Sequence, residues 1–123
     1  MNSRAKGARG ERMWRDELRS AFGDSGIRRG QQFSGLGDSP DVVCPCLPDI
    51  HWEVKFCQVT KVKDWIAQAI RDAKDKLFPV VAHKRAGEDW LVTLRADDFL
   101  TILRGSDFLV PTQNQQQPEI QTQ

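Results

Sequence analysis

Hydrophobic and polar positions follow two different rhythms along this chain. Between residues 8 and 22 the inward positions recur at helical spacing, with Glu11, Trp14, Leu18 and Ala21/Phe22 on one stripe and Arg12, Arg15, Asp16 and Arg19 outside it. Gly23 stands where such a helix would stop. A short strand is expected over 27–33, then a loop, SGLGDSP (34–40), made of turn residues. Residues 41–46 and 51–57 read as two strands joined by the tight connection LPDI. The second alternates clearly, Trp52, Val54 and Phe56 facing one side and Glu53, Lys55 and Cys57 the other. With the turn centred near Pro48-Asp49, Asp41 would fall opposite Phe56. Asp64, a good N-cap, opens a helix to about Leu77 with Trp65, Ile66, Ala69, Ile70, Ala73 and Leu77 inward. Strands at 80–83 and 90–94, turning at Ala86-Gly87, and a short helix over 97–103 stopped by Gly105 complete the pattern. The order αβββαβ, then a further strand and helix, predicts an α/β domain with one mixed central sheet flanked by helices.

Length and composition narrow the picture. A chain of 123 residues, 39% hydrophobic and 28% charged, suits one domain, expected over 7–110. Residues 1–6 read as a flexible basic leader. The tail from Pro111, PTQNQQQPEIQTQ, carries six Gln and one charged residue, too little apolar surface to offset its ordering entropy, so residues 111–123 are expected to be disordered. No run approaches the roughly 18 apolar residues of a membrane span, and no apolar stretch follows the basic N-terminus as a secretory signal requires. Three cysteines cannot all pair within one chain, which favours a reducing, cytoplasmic setting in a bacterium or a phage-infected cell.

Net charge is only +1, but its distribution is uneven. Residues 1–33 hold eight Lys/Arg against four acids, whereas 38–53 hold four acids and no Lys or Arg. A basic flank beside an acidic patch suits a metal-dependent enzyme acting on phosphates. Glu53 and Lys55 share a strand face near Asp41. Two carboxylates suit a hard cation such as Mg²⁺ or Mn²⁺, and an ammonium can orient water and stabilise charge on phosphate. The competing reading is a solvated E-x-K strand face with Asp41 as a turn residue. Glu11 weighs against it, because a carboxylate on an apolar stripe needs a partner, unless the helix N-terminus alone favours it. Cys44, Cys46, His51 and Cys57 form a rival constellation that could gather zinc, although C-x-C is a less usual spacing and Cys is often buried as a small apolar residue.

G-A-R-G-E-R in 7–12, S-P-D-V-V in 39–43 and H-W-E-V-K in 51–55 together resemble the PD-(D/E)xK nuclease superfamily, and within it the archaeal-type and phage-encoded Holliday junction resolvases. The likeness spans roughly residues 6–103. It implies a restriction-endonuclease-like core, homodimeric, cutting branched double-stranded DNA in recombination and repair with Mg²⁺ or Mn²⁺. Matched onto this chain, Glu11 is the first-helix acid, Asp41 and Glu53 are metal ligands with Val54 as a further metal contact, and Lys55 is the catalytic lysine. Ser34 corresponds to a loop serine, and Gln68 to a glutamine that related nucleases aim at the metal. Arg4, Lys6, Arg9, Arg12, Arg28 and Arg29 are the expected phosphate contacts, reading DNA shape rather than sequence. A general or DNA-end nuclease and a non-catalytic DNA-binding scaffold are the alternatives. Two matched cuts call for a two-fold dimer, through strand 80–83, the segment around Trp90 or the stretch near Phe108.

Overall fold

A computed structural model describes residues 3–30, 40–74, 76 and 78–112. Helix α1 (Ser3–Phe22) is followed by strands β1 (Arg28–Arg29), β2 (Val42–Val43) and β3 (Ile50–Phe56), helix α2 (Val62–Ala73), strands β4 (Phe78–Lys84) and β5 (Leu91–Leu94), and helix α3 (Ala96–Arg104). The strands form one mixed sheet in the order β1-β2-β3-β4-β5. Its one parallel pair is β3–β4, joined through α2, and the other neighbours run antiparallel. This is the α/β, restriction-endonuclease-like arrangement that the hydrophobic pattern and the resemblance indicate.

Strand alternation assigns each face of the sheet its helix. Trp52 and Val54 of β3, with Val80 and Ala82 of β4, pack with Trp14 and Leu18 of α1, together with Ile27, Val42 and Cys44. The opposite face presents Val81 to Trp65 and Ala69 of α2. Being central and covered on both sides, β4 is buried from Pro79 to His83, so strand 80–83 offers no dimer surface, contrary to one of the three expected places. Trp90 is half-buried against the core, its ring 4.9 Å from that of Trp14, which also meets Trp52 edge-on at 5.3 Å, while Leu91 and Val92 after it are exposed. The indole N–H groups of Trp14 and Trp52 are buried and make no hydrogen bond among the described residues, so ring packing outweighs two unsatisfied donors there.

Several boundaries differ from the sequence reading, each for a local reason. Helix α1 extends to Ser3, carrying Arg4 and Lys6 in its first turns. At its other end Phe22, expected inside, is 50% exposed. Lys61, not Asp64, occupies the N-cap of α2, and Asp64 falls in the first turn, where the helix dipole also favours it. Ile70 of α2 is exposed, and position 77 lies outside the described residues, as does most of the loop before Asp41. The hairpin register is three residues from that expected. Val42 pairs with Trp52, and the N–H of Asp41, just before β2, bonds the carbonyl of the same residue, so Asp41 lies beside the Trp52-Glu53 segment rather than opposite Phe56. The cause is the connection: Leu47 N–H bonds the carbonyl of Cys44 and Ile50 N–H that of Leu47, so two successive turns centre the hairpin on Leu47.

Gly10 explains the close seat of α1. A methyl group built there would lie 2.7 Å from Cβ of Phe56, an atom fixed to the β3 backbone. Gly10→Ala is therefore expected to destabilise the protein by about 1–3 kcal/mol, as overpacking does, and to push neighbouring Glu11 away from the sheet. Urea denaturation monitored by tryptophan fluorescence checks this; an unchanged midpoint would contradict it.

Candidate active site

The short strand β2 needs help to hold its place, and Asp41 provides it. The Asp41 N–H donates to the carbonyl of Trp52 at 2.8 Å and its carbonyl accepts from Gly30 N–H at 2.8 Å. The side chain then continues the ladder past the strand end, Oδ2 accepting the Val54 N–H at 2.8 Å. Asp41 is buried and faces Glu53, which is only 3% exposed. Glu53 pairs with Val81, whose side chain packs on α2, so Glu53 projects to the α2 side, where the Asp41 carboxyl meets it. Two residues on, Lys55 extends over the same face, its Nζ donating to Oε1 of Gln68 on α2 at 3.0 Å. Asp41, Glu53, Lys55 and Gln68 are thus brought together.

Burial and mutual repulsion dominate the electrostatics. Asp41 is pushed up to about 7, first by loss of solvent and then by the charge of Glu53, against the Val54 N–H and Lys55, which lower it. Glu53 is also raised to about 7, mainly by burial, with Asp72 of α2 adding repulsion and Lys55 opposing it. Two such carboxyls do not both ionise readily without added positive charge. Glu11, on the far layer, is raised as well, by burial and by Asp41, while Arg29 and Arg12 hold it down. Its Oε1 accepts from Arg29 Nε at 3.1 Å, so Arg29 meets a protein carboxylate here.

The donor chemistry fits a hard cation. Paired buried carboxylates, each raised first by burial, are the ligands that Mg²⁺ takes one or two of while keeping waters elsewhere. Among the described residues no group of three His, Cys, Asp or Glu converges to hold a metal unaided. Cys44, Cys46, His51 and Cys57 are not gathered into such a group among the described residues. The Sγ atoms of Cys44 and Cys46 lie 3.6 Å apart, but burial pushes the Cys44 thiol up to about 11, away from the thiolate that zinc needs. His51 is turned to Glu53 instead. All three cysteines are free.

The remaining expected site residues are distributed as follows. Val54 gives its N–H to Asp41 and buries its side chain in the α1-facing core. Arg4, Arg9, Arg12 and Arg28 are exposed, Lys6 half-buried. Lys6 Nζ and the Arg9 guanidinium lie 5.7 and 5.6 Å from the centre of the Phe56 ring, close enough for cation–π attraction. Ser34 lies outside the described residues. Two residues escaped the sequence reading in this role. His51 precedes Glu53 by two on the same strand face, and Asp72 follows Gln68 by four on α2; both spacings were legible and signal shared faces.

These shifts make stability fall with pH without metal, against the buried His51 and His83, whose lowered pKa values act in the opposite sense. A carboxyl whose folded pKa is raised stabilises the fold below its unfolded pKa, and that contribution is lost as pH climbs through the folded value. Asp41, from 3.8 to about 7, and Glu53, from 4.5 to about 7, act in the same sense. In EDTA the melting temperature is expected to fall between about pH 4 and about pH 8, and Asp41→Asn should flatten that slope. Thermal melts across this range decide it; an Asp41→Asn curve parallel to the wild type would refute the assignment.

No curated protein and no solved structure matches the chain. The profile of one family does, across residues 2–122, that is, over α1, the hairpin that sets Asp41 beside Glu53, and α2 with Gln68. On that match, and on P40-D41 with E53-V54-K55 assembled at one point of the sheet, the chain belongs to the phage putative PDDEXK endonuclease family, within the PD-(D/E)xK superfamily.

Proposed function

We propose that this endonuclease-family chain is a metal-dependent, structure-specific endodeoxyribonuclease that hydrolyses phosphodiester bonds in branched DNA, most closely in the manner of a Holliday junction resolvase, in the cytoplasm of a bacterium or phage-infected cell. The observation that carries the reading is Asp41 set beside Glu53 with Lys55 held by Gln68 on the same face. Asp41 and Glu53 are the residues to hold Mg²⁺ or Mn²⁺, with Glu11 and the Val54 main chain beside them. The cation supplies Lewis-acid polarisation of the phosphate and acidifies a bound water. Lys55, kept in position by Gln68, presents its ammonium where negative charge builds as the water oxygen bonds phosphorus and the P–O ester bond breaks. Arg4, Lys6, Arg9 and Arg12 line α1 at its N-terminal half, and Arg28 projects from the adjoining β1, a basic flank for the DNA backbone. No helix among the described residues is long and apolar enough to cross a membrane.

A two-fold dimer would supply the paired cuts that a junction requires. The face that favours a second copy is α3, which buries none of its residues and exposes Phe99, Leu100 and Ile102, with Phe108 beyond it 89% exposed. Asp97 and Arg104, two turns apart on one flank, make the helix self-complementary: antiparallel pairing sets each Asp97 against Arg104 of the partner subunit. Light scattering is expected to give about twice the 14.0 kDa chain mass, and Phe99→Asp to give a monomer of unchanged melting temperature. A wild-type monomer, both free and on junction DNA, would overturn the resolvase reading while leaving a simpler nuclease of the same superfamily.

Cleavage of a four-way junction and of linear duplex, each with Mg²⁺, Mn²⁺ or EDTA, tests the activity. Junction cutting that EDTA abolishes is the expected result. Asp41→Asn and Glu53→Gln should lose metal binding and cutting yet keep or gain junction affinity, since negative charge beside phosphate is removed. Lys55→Ala should keep metal binding while losing about 10²–10³ in rate, the usual cost of one charge-stabilising donor. Failure to cut any DNA with either metal would refute the enzyme reading, and equal cutting of linear duplex its structure specificity.

A further inference from the structure

The mechanism above leaves one ionisable group of the site unused. His51 is 1% exposed, among the most deeply buried side chains of the chain, and its Nε2 lies 2.9 Å from Oε1 of Glu53, itself 3% exposed. Both stand on β3, two residues apart on the α2-facing side. No DNA phosphate can reach a ring so covered, so its contribution must pass through Glu53.

Glu53 has unusual neighbours. It is within side-chain hydrogen-bonding range of Asp41 and Asp72, both acidic. Lys55, the nearest cation, is tied to Gln68. Asp72 opposes the ionised Glu53 and gives that buried carboxylate reason to rotate away, which the χ angles of Glu permit. A hydrogen bond from a buried, strand-anchored ring opposes that motion, and leaving such an acceptor without a donor costs about 1–3 kcal/mol.

We propose that His51 is a positioning residue for the metal site: its Nε2–H donates to Oε1 of Glu53, locks the carboxylate plane, and so presents Oε2 as the donor to the cation shared with Asp41. The inference rests on the reading of Asp41 and Glu53 as metal ligands. It parallels the clamp on Asp41, whose Oδ2 is fixed by the Val54 N–H. Each ligand then has one oxygen fixed by the protein, one by main chain and one by an imidazole. Groups one shell beyond a metal ligand set affinity in this way, and their loss typically weakens metal binding by about 10–100-fold. Asp72 and Lys76 of the following segment also act on His51 electrostatically, but neither is required for the hydrogen bond.

Mn²⁺ binding to the full chain, followed by titration calorimetry or electron paramagnetic resonance without DNA, provides the test. His51→Leu keeps the site apolar and removes the donor; it should weaken Mn²⁺ binding by about 10–100-fold. His51→Gln, which retains an N–H donor, should recover most of that loss. Wild-type Mn²⁺ affinity in a folded His51→Leu protein would overturn the inference alone, provided Glu53→Gln abolishes binding. If Glu53→Gln binds as the wild type does, or the wild type binds no Mn²⁺, the metal-site reading falls and this inference with it. Should His51→Leu fail to fold, ¹⁵N spectra of the histidine rings in the native, Mg²⁺-loaded protein answer the same question. A ring protonated on Nε2 supports the proposal, and one protonated only on Nδ1 refutes it.

Discussion

Two acidic side chains are driven into contact across β2 and β3, and much of the surrounding architecture exists to keep them there. Water would relax this arrangement at once by letting either carboxyl turn outward. The sheet prevents it, because Asp41 is pinned through its N–H and its Oδ2 to β3, and through its carbonyl to Gly30 just after β1. Glu53 sits in the middle of a seven-residue strand flanked on both sides. Burying two carboxyls side by side, which with the charge of Glu53 on Asp41 and of Asp72 on Glu53 raises both to about 7, is a local cost that the rest of the fold outweighs. A fold with no use for concentrated negative charge would gain by replacing either acid with an apolar residue of similar size.

The packing explains how such a small sheet carries that load. Covering β3 and β4 with α1 on one side and α2 on the other excludes water from both faces. Three tryptophans, Trp14, Trp52 and Trp90, supply the bulk on the α1 side in tilted and edge-on contacts. Gly10 lets α1 approach so closely that the residue after it, Glu11, comes within electrostatic reach of Asp41. The G-x-R-G-E-R segment is therefore one geometric device: the glycine sets the helix against β3 and the glutamate profits from that approach.

Much of this was legible in the sequence, and the misses have definite causes. Strict alternation in 51–57 assigned Glu53 and Lys55 to one face correctly, since the side-chain period of a strand leaves no choice. Helical spacing placed Trp65 and Ala69 inward. The hairpin register was not legible, because it depends on backbone hydrogen bonds within 44–50 that side-chain types do not dictate. Phe22 and Ile70 misled for a related reason: an apolar stripe gives the angle of a face but not how much of it the fold covers. His51 was read as a zinc candidate because residue type suggested ligation, whereas its nearest partner, two positions along its own strand, is a carboxylate.

The three acids of the site are not equivalent, and magnitudes say how they differ. Asp41 and Glu53 are buried and held through hydrogen bonds that would leave unsatisfied groups if broken, a cost of about 1–3 kcal/mol each. Glu11 is held by Arg29, whose side chain is 40% exposed, and ion pairs of that kind contribute about 0–1 kcal/mol. Exchanging Arg29 for another cation at Glu11 therefore costs at most a factor of about five in equilibrium. Under the proposed reading, the sheet contributes two fixed ligands and α1 one exchangeable carboxylate.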